Sequence, residues 1–271
     1  MSQAFPLPDA GAESPAALRL VPDWPRPLGE GVLPAEQPLD QEVVCRRVVH
    51  ETHDVVTVVL EPTRAGGVAF APGQYLTLGA TVDGARLERC YTISSPPTRP
   101  HLISLTVKRV PGGAMSTHLH ERLRPGDRLS VSGPLGDFCV AGHPARRYLL
   151  LSAGSGVTPT LATLRTMADL ADPVDVVVVH SARTPDDLVC RPEVEALAAT
   201  IPGLRVHWVC EGDGDPDRSG AWSGPRGRLS AELLRAFVPD VADREVFTCG
   251  PPGYMAAVRP LLAEAGVDPS R

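Results

Sequence analysis

Arg147-Tyr148-Leu149-Leu150-Leu151-Ser152-Ala153-Gly154-Ser155-Gly156-Val157-Thr158-Pro159 passes from an apolar run, through two glycines, to a threonine and a proline. Tyr148–Ser152 is apolar on consecutive residues and lacks the alternation of a strand with one wet face. The expected strand is therefore covered on both sides, as in a parallel sheet. Gly154 and Gly156 permit a tight strand-to-helix turn and close backbone approach. Pro159 fits the first helical position, where its missing N–H is not needed, so the helix start can receive a pyrophosphate. Gly-x-Gly alone is a common pattern, and the third glycine of the dinucleotide fingerprint is absent; the preceding strand and following helix supply the context that makes the loop informative.

Downstream the alternation continues, with expected segments at Thr160–Leu170, Val174–His180, Pro192–Ala199, Leu204–Cys210, Ala231–Phe237, Glu245–Thr248 and Gly253–Ala265. This predicts a doubly wound α/β domain over 146–271. Its last strand runs into Cys249-Gly250-Pro251-Pro252-Gly253-Tyr254-Met255, a compact turn expected to face the ligand crevice, with Cys249 read either as a small polarizable group in it or as an inert buried thiol. About twenty positions past Gly154 a dinucleotide fold reads the adenosine ribose, an acid suiting NAD and an arginine NADP. Ser181-Ala182-Arg183-Thr184-Pro185 follows the second strand with no acid before Asp186. Ser181 and Arg183 are thus candidate phosphate ligands, and NADPH is expected, with NADH possible; Arg183 also fits a solvated loop charge.

Upstream the pattern is β. Val43–Val49, Val55–Leu60, Tyr75–Leu78, Arg86–Ile93, Ile103–Arg109 and Arg128–Val131 are short runs punctuated by glycine and proline, which predicts a small antiparallel barrel over 42–145. Ala141–Arg146 reads as the linker after it. Within the barrel, Arg89-Cys90-Tyr91-Thr92 places a guanidinium, a phenol and a hydroxyl on one extended segment, with Arg89 and Tyr91 on one side. Arginine can fork onto a pyrophosphate, tyrosine can lie along a flavin, and threonine can bond the ring edge. Tyr75 follows the turn Pro72-Gly73-Gln74 and is either core or a second aromatic on the flavin. Pro111-Gly112-Gly113-Ala114-Met115-Ser116 leads into a helical stretch over His118–Leu123, with Ser116 expected at or near the N-cap, an anion cradle or simply a capped turn.

Composition narrows the classes. The 271 residues suggest two domains, and 43% hydrophobic content suffices for sizeable cores. The net charge is −6, and residues 1–42 carry seven acids against two bases, leaving the body near neutrality. That balance argues against nucleic acid as a partner. Residues 1–41 hold eight prolines and one tryptophan, Trp24, and are expected to form an irregular strap or extension. With no basic, apolar leader and no apolar stretch long enough to cross a membrane, the expectation is a cytoplasmic protein without membrane insertion. The six cysteines and eight histidines show no metal-ligand spacing, so free thiols and no metal are expected.

Taken in order, Arg89-x-Tyr91-Thr92, Gly112-Gly113-x-x-Ser116, Gly154-x-Gly156-x-Thr158-Pro159 and Cys249-Gly250-Pro251-Pro252 resemble the ferredoxin–NADP reductase family over about residues 42–271, closest to reductase components of oxygenases and desaturases and to flavohaemoglobin reductase parts. Thr92 stands where serine is commoner, which keeps the hydroxyl. The resemblance implies FAD held by Arg89, Tyr91 and Thr92, with Tyr75 and the Lys108 backbone lining the site and Gly113, Met115 and Ser116 on the pyrophosphate. It implies pyridine nucleotide on Gly154, Gly156, Thr158, Pro159, Gly250 and Pro251, with Cys249 near the nicotinamide. Thr92 and Cys249 are then the candidate catalytic residues. Many oxygenase reductases continue into an iron–sulfur domain and plant-type reductases end on an aromatic over the flavin; neither feature follows Asp268 here. The implied reaction passes hydride from NAD(P)H to FAD and single electrons to a separate ferredoxin, Rieske-type oxygenase, desaturase or haem protein. An electron-relay subunit that does not use free nucleotide, or a reductase of free flavin or a small organic substrate, fits the same motifs.

Overall fold

A computed structural model of the chain describes residues 40–171 and 175–268. The strap expected over 1–41, Trp24 included, lies outside them up to residue 39. Among the described residues ten strands and six α-helices follow in chain order, and the two halves differ in kind, an antiparallel sheet first and a parallel one second.

The first half is an antiparallel sheet of β1 (Gln41–Thr52), β2 (Val55–Pro62), β3 (Tyr75–Val82), β4 (Ala85–Thr92), β5 (Ile103–Lys108) and β6 (Arg128–Leu135), in the order β4-β3-β6-β1-β2-β5. An Ile93–Leu105 bridge joins the end of β4 to β5 and closes the sheet on itself. One residue in two therefore points inward, and Val56, Val58, Leu60, Leu76, Leu78, Leu105 and Val131 make a common core. Helix α1 (Ala114–Glu121) plugs it with Met115 and Leu119.

The second half is a parallel sheet in the order β10-β7-β8-β9, from β7 (Arg147–Ala153), β8 (Asp175–Ala182), β9 (Leu204–Cys210) and β10 (Glu245–Cys249). Successive residues of β7 and β8 feed opposite faces: Tyr148, Leu150, Val176 and Val178 pack under α2 (Thr158–Leu170) and α3 (Arg191–Thr200), and Leu149, Leu151, Val177 and Val179 under α5 (Ala231–Phe237) and α6 (Pro252–Glu264). This double burial is why those strands read as continuous apolar runs. The short α4 (Pro216–Ser219) lies in the connection after β9.

Candidate active site

β4 has a full ladder only with β3 and meets β5 at the single Ile93–Leu105 bridge; Arg89 and Cys90 are both exposed, and the expected two-sided alternation is lost there. The Arg89 guanidinium donates to the Glu88 carbonyl at 2.7 Å. Tyr91 is half-buried and packs on the barrel core, and that burial, only partly opposed by Arg89, pushes its phenol up to about 12. Thr92 sits opposite Tyr75 in the β3–β4 register, both half-buried. The strand thus brings Arg89, Tyr91, Thr92 and Tyr75 to one end of the barrel, and α1 contacts both β3 and β4.

Two details of the cradle differ from expectation. α1 begins at Ala114 with Gly113 as its N-cap, so Ser116 is in the third helical position; it is buried and its hydroxyl is used locally, donating to the Gly113 carbonyl and accepting from Val110 N–H, each at 3.1 Å. Met115 turns its side chain into the core. The donors left for an anion are the first-turn backbone N–H groups of Ala114, Met115 and Ser116, since intrahelical bonding starts at Thr117 N–H to Gly113 O at 3.0 Å. A Cβ at Gly113 would meet Ser116 Oγ at 2.7 Å, whereas Gly112, at φ +71°, faces open space. An open, donor-rich turn beside Arg89's strand suits a pyrophosphate.

In the second domain a 3₁₀ turn over Gly154–Val157 precedes α2, so the α-helix starts at Thr158 and Pro159 takes its second position, one later than predicted. Both are buried, and the Thr158 hydroxyl donates to the Ser155 carbonyl at 3.2 Å. Gly154, at φ +53°, is open, while a Cβ on Gly156 would stand 2.3 Å from the Cys249 carbonyl; the second glycine serves the contact between this turn and β10. A Cβ on Gly250 would meet the Tyr254 ring at 2.7 Å. Cys249 ends β10 beside Ser152 of β7, and burial raises its thiol, which stays protonated.

Gly154, Ser181, Arg183, Pro251 and Tyr254 line a cleft of about 460 Å³, with Lys108 of the barrel also on its wall. The hydroxyls of Ser181 and Tyr254 are buried there without a hydrogen bond of normal geometry, and burial pushes the Tyr254 phenol well above its usual value. The two hydroxyls face each other, Ser181 partly opposing the effect of burial on Tyr254, and with an open glycine beside them they have spare capacity for a polar ligand, as a nucleotide is. Arg183 is both paired and exposed. Its guanidinium is 2.9 Å from Asp187 and 3.6 Å from Asp54 of the barrel with 65% of the side chain in solvent, so the pairing is weak and does not separate NADPH from NADH. Lys108 Nζ pairs with the same Asp54 at 2.9 Å. Burial would raise the Asp54 carboxyl, but Lys108's hydrogen bond and charge outweigh it and hold the group below the usual carboxylate range. His53, Asp54 and Asp187 offer ligand atoms within 4.8 Å of one another, with both carboxylates already on cations.

Tyr254, Asp54 and Glu211 were not identified from sequence. Tyr254 carried a signal, lying in the first turn of the helix after the Cys249 loop; Glu211 reaches the cleft, and Asp54 the Lys108 and Arg183 that line it, only through tertiary contact.

Two family descriptions match the chain: oxidoreductase FAD-binding domain over residues 43–139 and oxidoreductase NAD-binding domain over 150–260. The chain is 45% identical over 231 residues to the glycine betaine monooxygenase reductase subunit of Chromohalobacter salexigens, covering 84% of this chain and 61% of that protein. It is 38% identical over 221 residues to the stachydrine N-demethylase reductase subunit of Rhizobium meliloti, covering 82% and 62%. It thus spans less than two thirds of the length of these relatives. Among solved structures, the flavohem-like FAD/NAD-binding domain of nitric oxide dioxygenase from Vibrio cholerae O1 biovar El Tor superposes with a TM-score of 0.75 at 26% identity, covering 85% of this chain and 95% of that one. With an FAD-binding barrel followed by an NAD-binding parallel-sheet domain, the chain belongs to the ferredoxin reductase family of oxidoreductases.

Proposed function

We propose that this chain is an FAD-dependent NAD(P)H reductase that supplies electrons to a separate redox protein of the oxygenase type. The observation that carries the reading is convergence: the cleft that holds the buried Ser181 and Tyr254 hydroxyls is walled by Lys108 of the barrel as well as by the Gly154 and Pro251 loops. Bound FAD supplies hydride acceptance from a nicotinamide and one-electron release. The chain's part is placement. Arg89 and the α1 first turn offset pyrophosphate charge, Tyr75 and Tyr91 offer aromatic surface, and the Thr92 hydroxyl offers a hydrogen bond to the ring edge. The Gly154–Thr158 turn and the Cys249–Pro251 loop hold the nucleotide against the barrel, and their mutual packing at Gly156 fixes one against the other. The proposed units are 42–145 for the flavin and 146–271 for the nucleotide.

The relatives named above are reductase subunits of a monooxygenase and a demethylase, which supports a separate oxygenase as acceptor. Among the described residues no helix is long and apolar enough to cross a membrane, and all six cysteines are free. The free thiols and the proposed use of NAD(P)H support a cytoplasmic site of action. Anaerobic mixing of the FAD-loaded protein with NADH or NADPH tests the reading. Bleaching of the flavin absorption followed by re-oxidation by an added iron–sulfur or haem protein is expected. No bleaching by either nucleotide would leave a relay subunit, and rapid turnover of a small organic acceptor alone would leave a substrate reductase.

A further inference from the structure

The turns that wall the cleft leave from the carboxyl ends of neighbouring strands, 154–158 from β7, 181–184 from β8 and 249–251 from β10. Beneath them one rung crosses the whole sheet in register: Cys249 of β10 beside Ser152 of β7, Ser152 beside His180 of β8, and His180 beside Trp208 of β9. It is the last rung that all four strands share. Registered neighbours point to one face. Phe247, Leu150, Val178 and Val206, two residues earlier on each strand, belong to the core under α2 and α3, so the shared rung lays a thiol, a hydroxyl, an imidazole and an indole on that same face.

Apolar side chains fill the rung below and would fill this one. Instead Ser152 and His180, both wholly buried, are joined by a single bond between Oγ and Nδ1 at 2.8 Å. Burial lowers the imidazole to about 4, so the ring is neutral, and either neutral tautomer can make this bond. Its gain is offset by the desolvation of both groups and by Nε2, which is buried without a partner. Stability is therefore a poor reason for the pair, and geometry a better one. A hydrogen bond fixes the separation and direction of two groups, where apolar contact does not. Trp208 meets the imidazole edge-on at 5.8 Å and sets its plane. What the rung carries is the turns: Gly156 packs on the Cys249 carbonyl, a Cβ at Gly250 would stand 3.3 Å from that of Ala153, and Ala153 pairs with Ser181 on the next rung. A shift at Ser152 or His180 is passed to all three.

We infer that Ser152 and His180 are positioning residues, whose buried bond fixes the sheet rung from which the three nucleotide turns leave and so holds the nicotinamide in register with the flavin. The inference rests on the nucleotide reading of those turns given above. Four variants of the FAD-loaded protein test it: Ser152→Ala, His180→Leu, the two combined, and His180→Asn, whose amide can stand where Nδ1 does. The first three should lower the limiting rate of flavin reduction by about tenfold or more while FAD affinity and nucleotide half-saturation stay within about threefold of wild type. Hydrogen–deuterium exchange at 154–158 and 249–253 should quicken in the same three. His180→Asn should restore the rate to within about threefold of wild type. The combined variant, with both polar partners gone, should resist denaturant at least as well as either single one, which separates positioning from stability. A folded combined variant with the wild-type rate and exchange, or a His180→Asn protein as slow as His180→Leu, overturns the inference. Failure of both nucleotides to bleach the wild-type flavin counts against the proposed function instead, and exchange at the turns still decides whether the pair holds them.

Discussion

Arg89 holds its guanidinium at the surface of an edge strand, with the adjacent Glu88 carbonyl as acceptor. An arginine so placed contributes little to folding, because its charge is solvated and its one bond is local. Under the proposed function its use is toward the flavin pyrophosphate. In Arg89→Ala the loss of a charge-assisted contact, about 1.5–3 kcal/mol, should weaken FAD binding roughly tenfold to a hundredfold with the melting temperature of the apoprotein unchanged. Fluorescence titration with FAD checks this, and unaltered affinity would remove Arg89 from the site. Cys249 is the opposite case, a partly buried group whose thiol burial has raised and whose backbone supports Gly156. Cys249→Ala keeps that backbone, so FAD binding and folding should persist while nucleotide-driven flavin reduction slows. A core role alone would instead lower stability by about 1 kcal/mol and leave the stopped-flow rate at the wild-type value.

At the scale of elements, the strands were legible because their burial is periodic. Val43–Val49, Leu204–Cys210 and Ala231–Phe237 fall within or coincide with β1, β9 and α5, and β7 with β8 showed the apolar continuity that two covered faces impose. Ends were less legible. α1 starts at Ala114 because Gly113 and not Ser116 is its N-cap, and no rule of spacing announced the 3₁₀ turn that delays α2 to Thr158. Glu211 of the cleft was missed because counting along β8 cannot see β9, whose end lies next to it only after the sheet forms. One pH effect belongs to this sheet. His180 of β8 is fully buried, bonded through Nδ1 to Ser152 Oγ of β7 at 2.8 Å, and burial lowers it to about 4. The unfolded chain binds that proton near the ordinary value of about 6.5, so it holds more protons than the folded one between the two values, and stability falls as pH drops through that window. A loss of at most about 3 kcal/mol is expected between pH 6.5 and 4, shallower in a His180→Asn variant, and chemical denaturation at stepped pH measures it. Equal slopes in both proteins would exclude His180 as the source.

Over the whole molecule, the proposed function depends on how the Gly154 turn is held against the strand that carries Arg89, Tyr91 and Thr92, and one tie between them runs through α2. Arg165 and Asp169 lie one turn apart on one helix face. Arg165 forks onto Glu193 of α3 with two bonds of 2.7 Å, and its remaining nitrogen donates to the Ser94 carbonyl at 2.6 Å, two residues beyond Thr92. Asp169 receives Arg99 at 3.0 and 2.5 Å and also Thr98. Val55 of the barrel packs into the core beneath α2, and Phe138 meets Phe247 edge-on at 5.4 Å. One helix therefore starts at the nucleotide turn and is pinned, two turns later, to the end of the strand that carries Arg89, Tyr91 and Thr92. A guanidinium can serve Glu193 and Ser94 together because its donors are fixed in a plane; an ammonium cannot match both. Arg165→Lys should therefore leave FAD affinity and the nucleotide KM within about threefold of wild type yet lower the limiting rate of flavin reduction by about tenfold or more, since a misplacement of about 1 Å is enough to do so. The rate loss should come with a larger isotope effect from nucleotide deuterated at the transferred position, a change that general loss of stability does not produce. A variant that reduces its flavin at the wild-type rate would show that the two domains are held in register by the exposed Arg99–Asp169 pair and the Phe138–Phe247 contact without Arg165.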